Sequence, residues 1–264
     1  QLFLFSKKIH KKRTQQTYED IVNEFFFYFD KFSQIVPQGS IMSNLGNKYI
    51  FGSLSNCFGI APPYDSYSGI LRTDEHLVSL MKRRGGVGTH LNNLRPQESI
   101  VYNSARTSTG ITLFAERYSN TTREVAQNGR RGALMLLLSC NHPDIFKFVT
   151  MKDDRTKVTG ANVSVVLTDK FMKAVESDND DFYCTFPINT VFDPIGTNLA
   201  YNHLVHIQDG LDVMRIHAKE LFDLIVEMAW KNAEPGIAYI DRIQNYSPDG
   251  VYEQYRPELC NPCG

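Results

Sequence analysis

The residues whose types and spacing could carry chemistry fall into a few clusters. Gln127-Asn128-Gly129-Arg130-Arg131-Gly132-Ala133 sets two adjacent arginines between glycines. Glycine removes side-chain bulk and arginine supplies a planar donor fork, so such a loop can approach a phosphate or a base edge closely. A surface turn with solvated arginines is the competing reading. Gly85-Gly86-Val87-Gly88 is dense enough in glycine for a phosphate loop, but it lacks the Lys-Ser/Thr of a P-loop and follows no strand. The end of a helix, where glycine takes positive φ, accounts for it better. Cys260-Asn261-Pro262-Cys263 has the CxxC spacing of half a zinc site, yet Cys57, Cys140 and Cys184 supply no second pair. A thioredoxin-like pair fits no better. His76, His90 and His142 lack metal-ligand spacing, and Asp153-Asp154 and residues 178–181 read as solvated acidic turns. No metal site and no Ser-His-Asp arrangement is expected.

These residues must be positioned by a chain of 264 residues, 42% hydrophobic and 22% charged, which is ordinary globular composition. No stretch approaches the ~20 consecutive apolar residues of a membrane span. Five cysteines, an odd number at irregular spacing, argue against a disulfide framework. With no signal peptide visible, a reducing, cytoplasmic location is expected. The net charge of −1 is uneven: Lys7, Lys8, Lys11, Lys12 and Arg13 form a basic head on a mildly acidic body. That head reads as a solvated face, not a contact for nucleic acid or membrane.

Capping and periodicity predict a helix from Thr17 to Phe32, so rich in aromatics that most of its surface should be buried. A break at Pro37 and a short strand at residues 49–51 follow. Helices are expected over residues 68–84, 110–127, 143–151, 168–177 and 216–232, and strands over 132–139, 163–167 and 237–240. Helices linking strands point to an α/β fold with a largely parallel sheet. Residues 1–36 form an N-terminal helical region, and no domain boundary is visible in residues 37–264.

Several of these pieces, in order, resemble the large catalytic subunit of ribonucleotide reductases. They are Ser55-Asn56-Cys57-Phe58, the run from Met81 to Gly88 with Leu94-Arg95-Pro96, residues 104–110, residues 127–133, His142-Pro143-Asp144, residues 162–172, and Asn261-Pro262-Cys263-Gly264. The resemblance implies a ten-stranded α/β barrel of two five-stranded halves around a central finger loop. This chain would supply the N-terminal helices and the first half, ending on the finger. A second polypeptide would complete the barrel.

The resemblance also implies the chemistry: radical reduction of a ribonucleotide to a deoxyribonucleotide. Cys263 would become the thiyl radical, Asn261 would hold the ribose hydroxyls, and Cys57 would supply reducing equivalents. Ser40 and Gly86 are candidates for substrate binding. Asp65, Ser66, Arg95, Gln127 and Arg131 would bind an effector nucleotide, with homodimerisation through the helices flanking the two effector loops. Asn-Pro-Cys-Gly resembles the adenosylcobalamin-dependent class; a radical-generating metal subunit is the alternative radical source. An external dithiol would be the reductant. A non-catalytic nucleotide-binding regulatory module is the competing function.

Overall fold

The computed structural model describes residues 16–125, 132–178, 182–188, 205–206 and 212–262. Its centre is a five-stranded sheet in the order β1 (Cys57–Gly59), β2 (Gly86–His90), β3 (Leu134–Ser139), β4 (Asn162–Leu167) and β8 (Gly236–Tyr239), parallel throughout. Parallel neighbours need crossover connections. Here α3 (Tyr67–Met81), α4 (Ile111–Glu124) and α5 (Ile145–Thr150) provide the first three. Between β4 and β8 run α6 (Asp169–Glu176), a small antiparallel sheet and α7 (Ala218–Asn232). That small sheet, β5 (Phe182–Phe186), β7 (Asp212–Ile216) and β6 (Val205–His206), is not foreseen from the sequence.

Side chains alternate across a strand, so each face can be read by parity. One face carries Val87, Leu134, Leu136, Leu138, Val163, Val165 and Leu167 into the main core, against the helices. The other carries Leu137, Val166 and Ala238 into a smaller cluster with Leu259 and Ile243. The continuous run Leu134–Leu138 therefore marks a strand covered on both sides, as its composition predicts.

Three expectations are corrected. The first helix, α1 (Tyr18–Phe29), has the predicted cap: Thr17 Oγ1 accepts from Asp20 N at 3.2 Å while Thr17 N donates to Asp20 Oδ2 at 2.8 Å. Yet only Ile21 is buried, and Phe26 and Phe27 are 68% and 62% exposed. The helix packs chiefly on the single turn after it, not on the sheet, so its aromatic content finds no core among the described residues. Residues 49–51 form no strand; Tyr49 stands in solvent, while Phe51 lies under the Arg83 guanidinium at 5.3 Å. Residues 85–88 do not end a helix by glycine conformation either. Arg84 takes the positive φ of 70°, and Gly86 to Gly88 belong to β2. No helix among the described residues is long and apolar enough to cross a membrane.

Beyond β8, α8 (Ile240–Tyr246) and two single turns return the chain to the second face of the sheet. Gln244 Nε2 donates to the Pro257 carbonyl at 2.9 Å and fixes the entry to the segment that follows.

Candidate active site and effector loop

Residues 258–262 lie across the second face of the sheet, and glycines make the room. A Cβ on Gly59 would stand 2.6 Å from Leu259 Cδ1. One on Gly88 would collide with the Cys260 carbonyl and lie 2.9 Å from Asn261 Cα. One on Gly86 would lie 3.3 Å from Pro262 Cγ. Along β2 the neighbours run backwards: Glu258 beside His90, Cys260 over Gly88, Pro262 against Gly86. The segment thus travels antiparallel to β2, from the strand's C-terminal end toward its start.

At that start the strand register places Gly86 opposite Cys57. Asn56 ties the neighbourhood together. Its carbonyl accepts from Gly86 N at 2.6 Å, its Oδ1 accepts from Ser40 N at 3.0 Å, and its Nδ2 donates to Gln38 Oε1. Ser40 is buried in the first turn of α2 (Gly39–Asn44). The structure therefore brings Ser40, Cys57, Gly86 and Asn261 to one end of the sheet. Cys263 lies outside the described residues, one position beyond Pro262 in sequence. Sequence reasoning gave Asn56 no role, although it adjoins Cys57.

His90 closes the other end. It is 5% exposed on the second face of β2, and its Nε2 lies 3.9 Å from Glu258 Oε2. Burial lowers its pKa, and Glu258 opposes that shift. Its Nδ1 is buried without a hydrogen-bond partner.

The remaining thiols divide by burial. Cys140 and Cys184 are fully buried. Cys184 Sγ donates to the Cys140 carbonyl at 3.4 Å. Burial pushes the Cys140 thiol up to about 12 and Cys184 well above its ordinary value, so both stay protonated packing groups. Cys260, half-buried against the sheet, is raised by the same cause. Among the described residues no group of His, Cys, Asp and Glu could hold a metal ion.

The second constellation lies at the start of α3. Ser66 caps that helix, accepting from Gly69 N at 3.1 Å. Beside it Asp65 receives Arg95 twice: Nε to Oδ2 at 2.7 Å and the backbone N to Oδ1 at 3.1 Å. Arg95 Nη1 also donates to the Ile100 carbonyl at 2.8 Å. Asp65, Ser66 and Arg95 are thus brought together, with the loop after β2 shaped around the ion pair. Gln127 and Arg131 lie outside the described residues, as does the basic head at residues 7–13. The end of their loop is described: a Cβ on Gly132 would meet Met81 Sδ at 2.9 Å and Thr122 Cγ2 at 3.1 Å, one from each flanking helix. Those helices are joined by Tyr118, whose hydroxyl donates to the Ile70 carbonyl at 3.0 Å, and by Arg117 with Asp74 at 3.0 Å. Tyr67, Leu71, Val78 and Leu113 remain exposed on them.

A family model described as ribonucleotide reductase, barrel domain, matches residues 55–264. The vitamin B12-dependent ribonucleoside-diphosphate reductase of Thermoplasma acidophilum is 34% identical over 245 residues, covering 90% of this chain and 28% of the relative. The enzyme of the same name from Mycobacterium tuberculosis (strain CDC 1551 / Oshkosh) is 31% identical over 233 residues, 88% of this chain and 30% of the relative. The ribonucleoside-diphosphate reductase large subunit of Trypanosoma brucei brucei is 30% identical over 200 residues, 72% of this chain and 24% of the relative. The chain thus spans 24% to 30% of the length of these curated relatives.

Proposed function

This chain belongs to the ribonucleotide reductase barrel family, and on that premise we propose that it forms part of a catalytic subunit reducing ribonucleotides to deoxyribonucleotides. The observation that supports this most is the seating of residues 258–262 on Gly59, Gly86 and Gly88. It brings Asn261 and Pro262, the residues that precede Cys263 in sequence, to the strand end where Cys57, Ser40 and Asn56 meet.

Replacing a 2′-hydroxyl with hydrogen is difficult because hydroxide is a poor leaving group on an unactivated carbon. A radical at the 3′ carbon removes that obstacle. In this reading the Cys263 thiyl takes the 3′ hydrogen atom and returns it at the end, so the sulfur is unchanged over the cycle. Asn261 and Ser40 hold the ribose in place for that transfer. Cys57 gives the proton with which the 2′-oxygen leaves as water. Cys57 and a second thiol, carried outside these 264 residues, supply two electrons and become a disulfide. An external dithiol reduces it again. Overall, one ribonucleotide and two thiols give one deoxyribonucleotide, water and a disulfide.

The two relatives named as B12-dependent point to adenosylcobalamin, with a radical-generating metal subunit as the alternative. The glycine-lined face of β2 is filled by residues 258–262 and would not hold a corrin. When bound, such a group would supply the hydrogen-atom abstraction that makes the thiyl. A second polypeptide, or further chain, completes the barrel and carries the second thiol. A nucleotide effector at Asp65, Ser66, Arg95, Gln127 and Arg131 selects the substrate. Two copies meet through α3 and α4, where Leu71 and Leu113 are exposed.

The deciding experiment uses the native complex purified with this chain. Intact masses identify its partner, and Cys57→Ser then abolishes deoxyribonucleotide formation while nucleotide binding persists. Unchanged turnover in Cys57→Ser would overturn the role of that thiol and leave the non-catalytic nucleotide-binding module as the reading.

A further inference from the structure

We propose that His142 and Asp144 are positioning residues that set the loop carrying Arg95, and so control nucleotide binding at Asp65 and Arg95; this rests on the effector reading above. The motif His142-Pro143-Asp144 follows β3, and both residues are buried, His142 completely. Neither reaches the strand end that holds Cys57.

Their hydrogen bonds go to the effector loop instead. Asp144 Oδ2 accepts from Gln97 N at 2.9 Å and from Ile111 N at 3.1 Å. These two amides bracket the excursion between Arg95 and α4. Ile111 opens α4, and the residue before it, Gly110, has no side chain with which to cap the helix. Asp144 therefore caps α4 from another element. Gly110 lets it: a Cβ there would lie 2.9 Å from Asp144 Oδ2, and the residue's φ is 83°. The Lys147 ammonium stands 3.9 Å from the other carboxylate oxygen.

His142 grips the loop one residue before Arg95. Its Nδ1 accepts from Asp144 N at 3.0 Å, so the proton sits on Nε2, which donates to the Leu94 carbonyl at 2.9 Å. A third hold comes from Asn92, whose Oδ1 accepts from Ser139 N at 2.9 Å. The end of β3 thus grips residues 92, 94, 97 and 111. The beginning of β3 adjoins the loop of residues 127–133. One strand joins both predicted effector loops. A buried carboxylate whose hydrogen bonds come from backbone amides, with Lys147 as its ion-pair partner, is costly unless those amides are held where it needs them.

The test compares Asp144→Ala and Asp144→Asn with wild type in the native complex. Two quantities are read: equilibrium binding of each of the four deoxynucleoside triphosphates, and amide hydrogen exchange at Gln97 and Ile111. Asp144→Ala is expected to speed exchange at both amides and weaken nucleotide binding by about tenfold, as loss of a charge-assisted bond implies. Asp144→Asn keeps one acceptor oxygen without the charge and should fall between the two. Wild-type binding and exchange in Asp144→Asn, or in Asp144→Ala where it folds, would overturn the proposal. A wild-type complex that binds none of the four nucleotides would instead overturn the effector reading itself.

Discussion

At the scale of single residues, glycine and histidine govern how the chain closes on itself. Gly88 admits the Cys260 carbonyl, a backbone atom that cannot swing aside. Gly88→Ala should cost about 1–3 kcal/mol, the range for overpacking, and lower turnover in the native complex. Gly39→Ala is the control, because a Cβ there meets nothing within 4 Å. It should leave the urea midpoint unchanged or raise it slightly. His90 gives the pH dependence. Burial holds its folded pKa below the ordinary 6.5, so in the window beneath 6.5 the unfolded chain binds more protons. Stability is full above that window and falls as pH drops through it. The melting temperature should fall more between pH 7.5 and 5.5 in wild type than in His90→Gln. Gly88 and His90 were noticed in the sequence, as part of a glycine-dense run and as a loop histidine, but their roles were not legible, since close approach depends on a partner far away in the chain.

At the scale of elements, the sequence was most legible where one period dominates. Residues 132–139 read as a strand and residues 216–232 as a helix, because each has a long apolar pattern of its own, and the structure sets them at Leu134–Ser139 and Ala218–Asn232. β7 was hidden: Asp212 and Arg215 interrupt its apolar positions, and its ladder partners lie in β5, thirty residues earlier. The aromatic stretch in α1 misled for a different reason. Composition tells that a surface is apolar, not that this chain supplies its cover. Since α1 stands apart from the sheet, its cap acts locally. Thr17→Ala should destabilise that helix by about 1 kcal/mol, read as faster amide exchange in residues 18–22, with exchange in β3 and β4 unchanged. In the candidate site, Cys57, Ser40 and Gly86 were legible only through family resemblance. The hydrogen bonds of Asn56 to Gln38, Ser40 and Gly86 join segments far apart in the chain, which no local pattern records.

At the scale of the whole molecule, the five parallel strands have one face buried by helices and the other by the chain's own late segment. The exposed apolar side chains on α3 and α4 set the association expected of it. A Leu71→Glu, Leu113→Glu double variant should shift the native complex to half its mass in sedimentation, with the fold retained by circular dichroism. The seating of residues 258–262 also has a consequence during synthesis. At roughly 5–20 residues per second, about ten to thirty seconds separate the emergence of His90 from that of Pro262. For that interval the glycine row of β2, with Leu137 beside it, has no cover. Ribosome-bound chains halted before residue 258 should therefore be retained by holdase chaperones, and extension past residue 262 should release them.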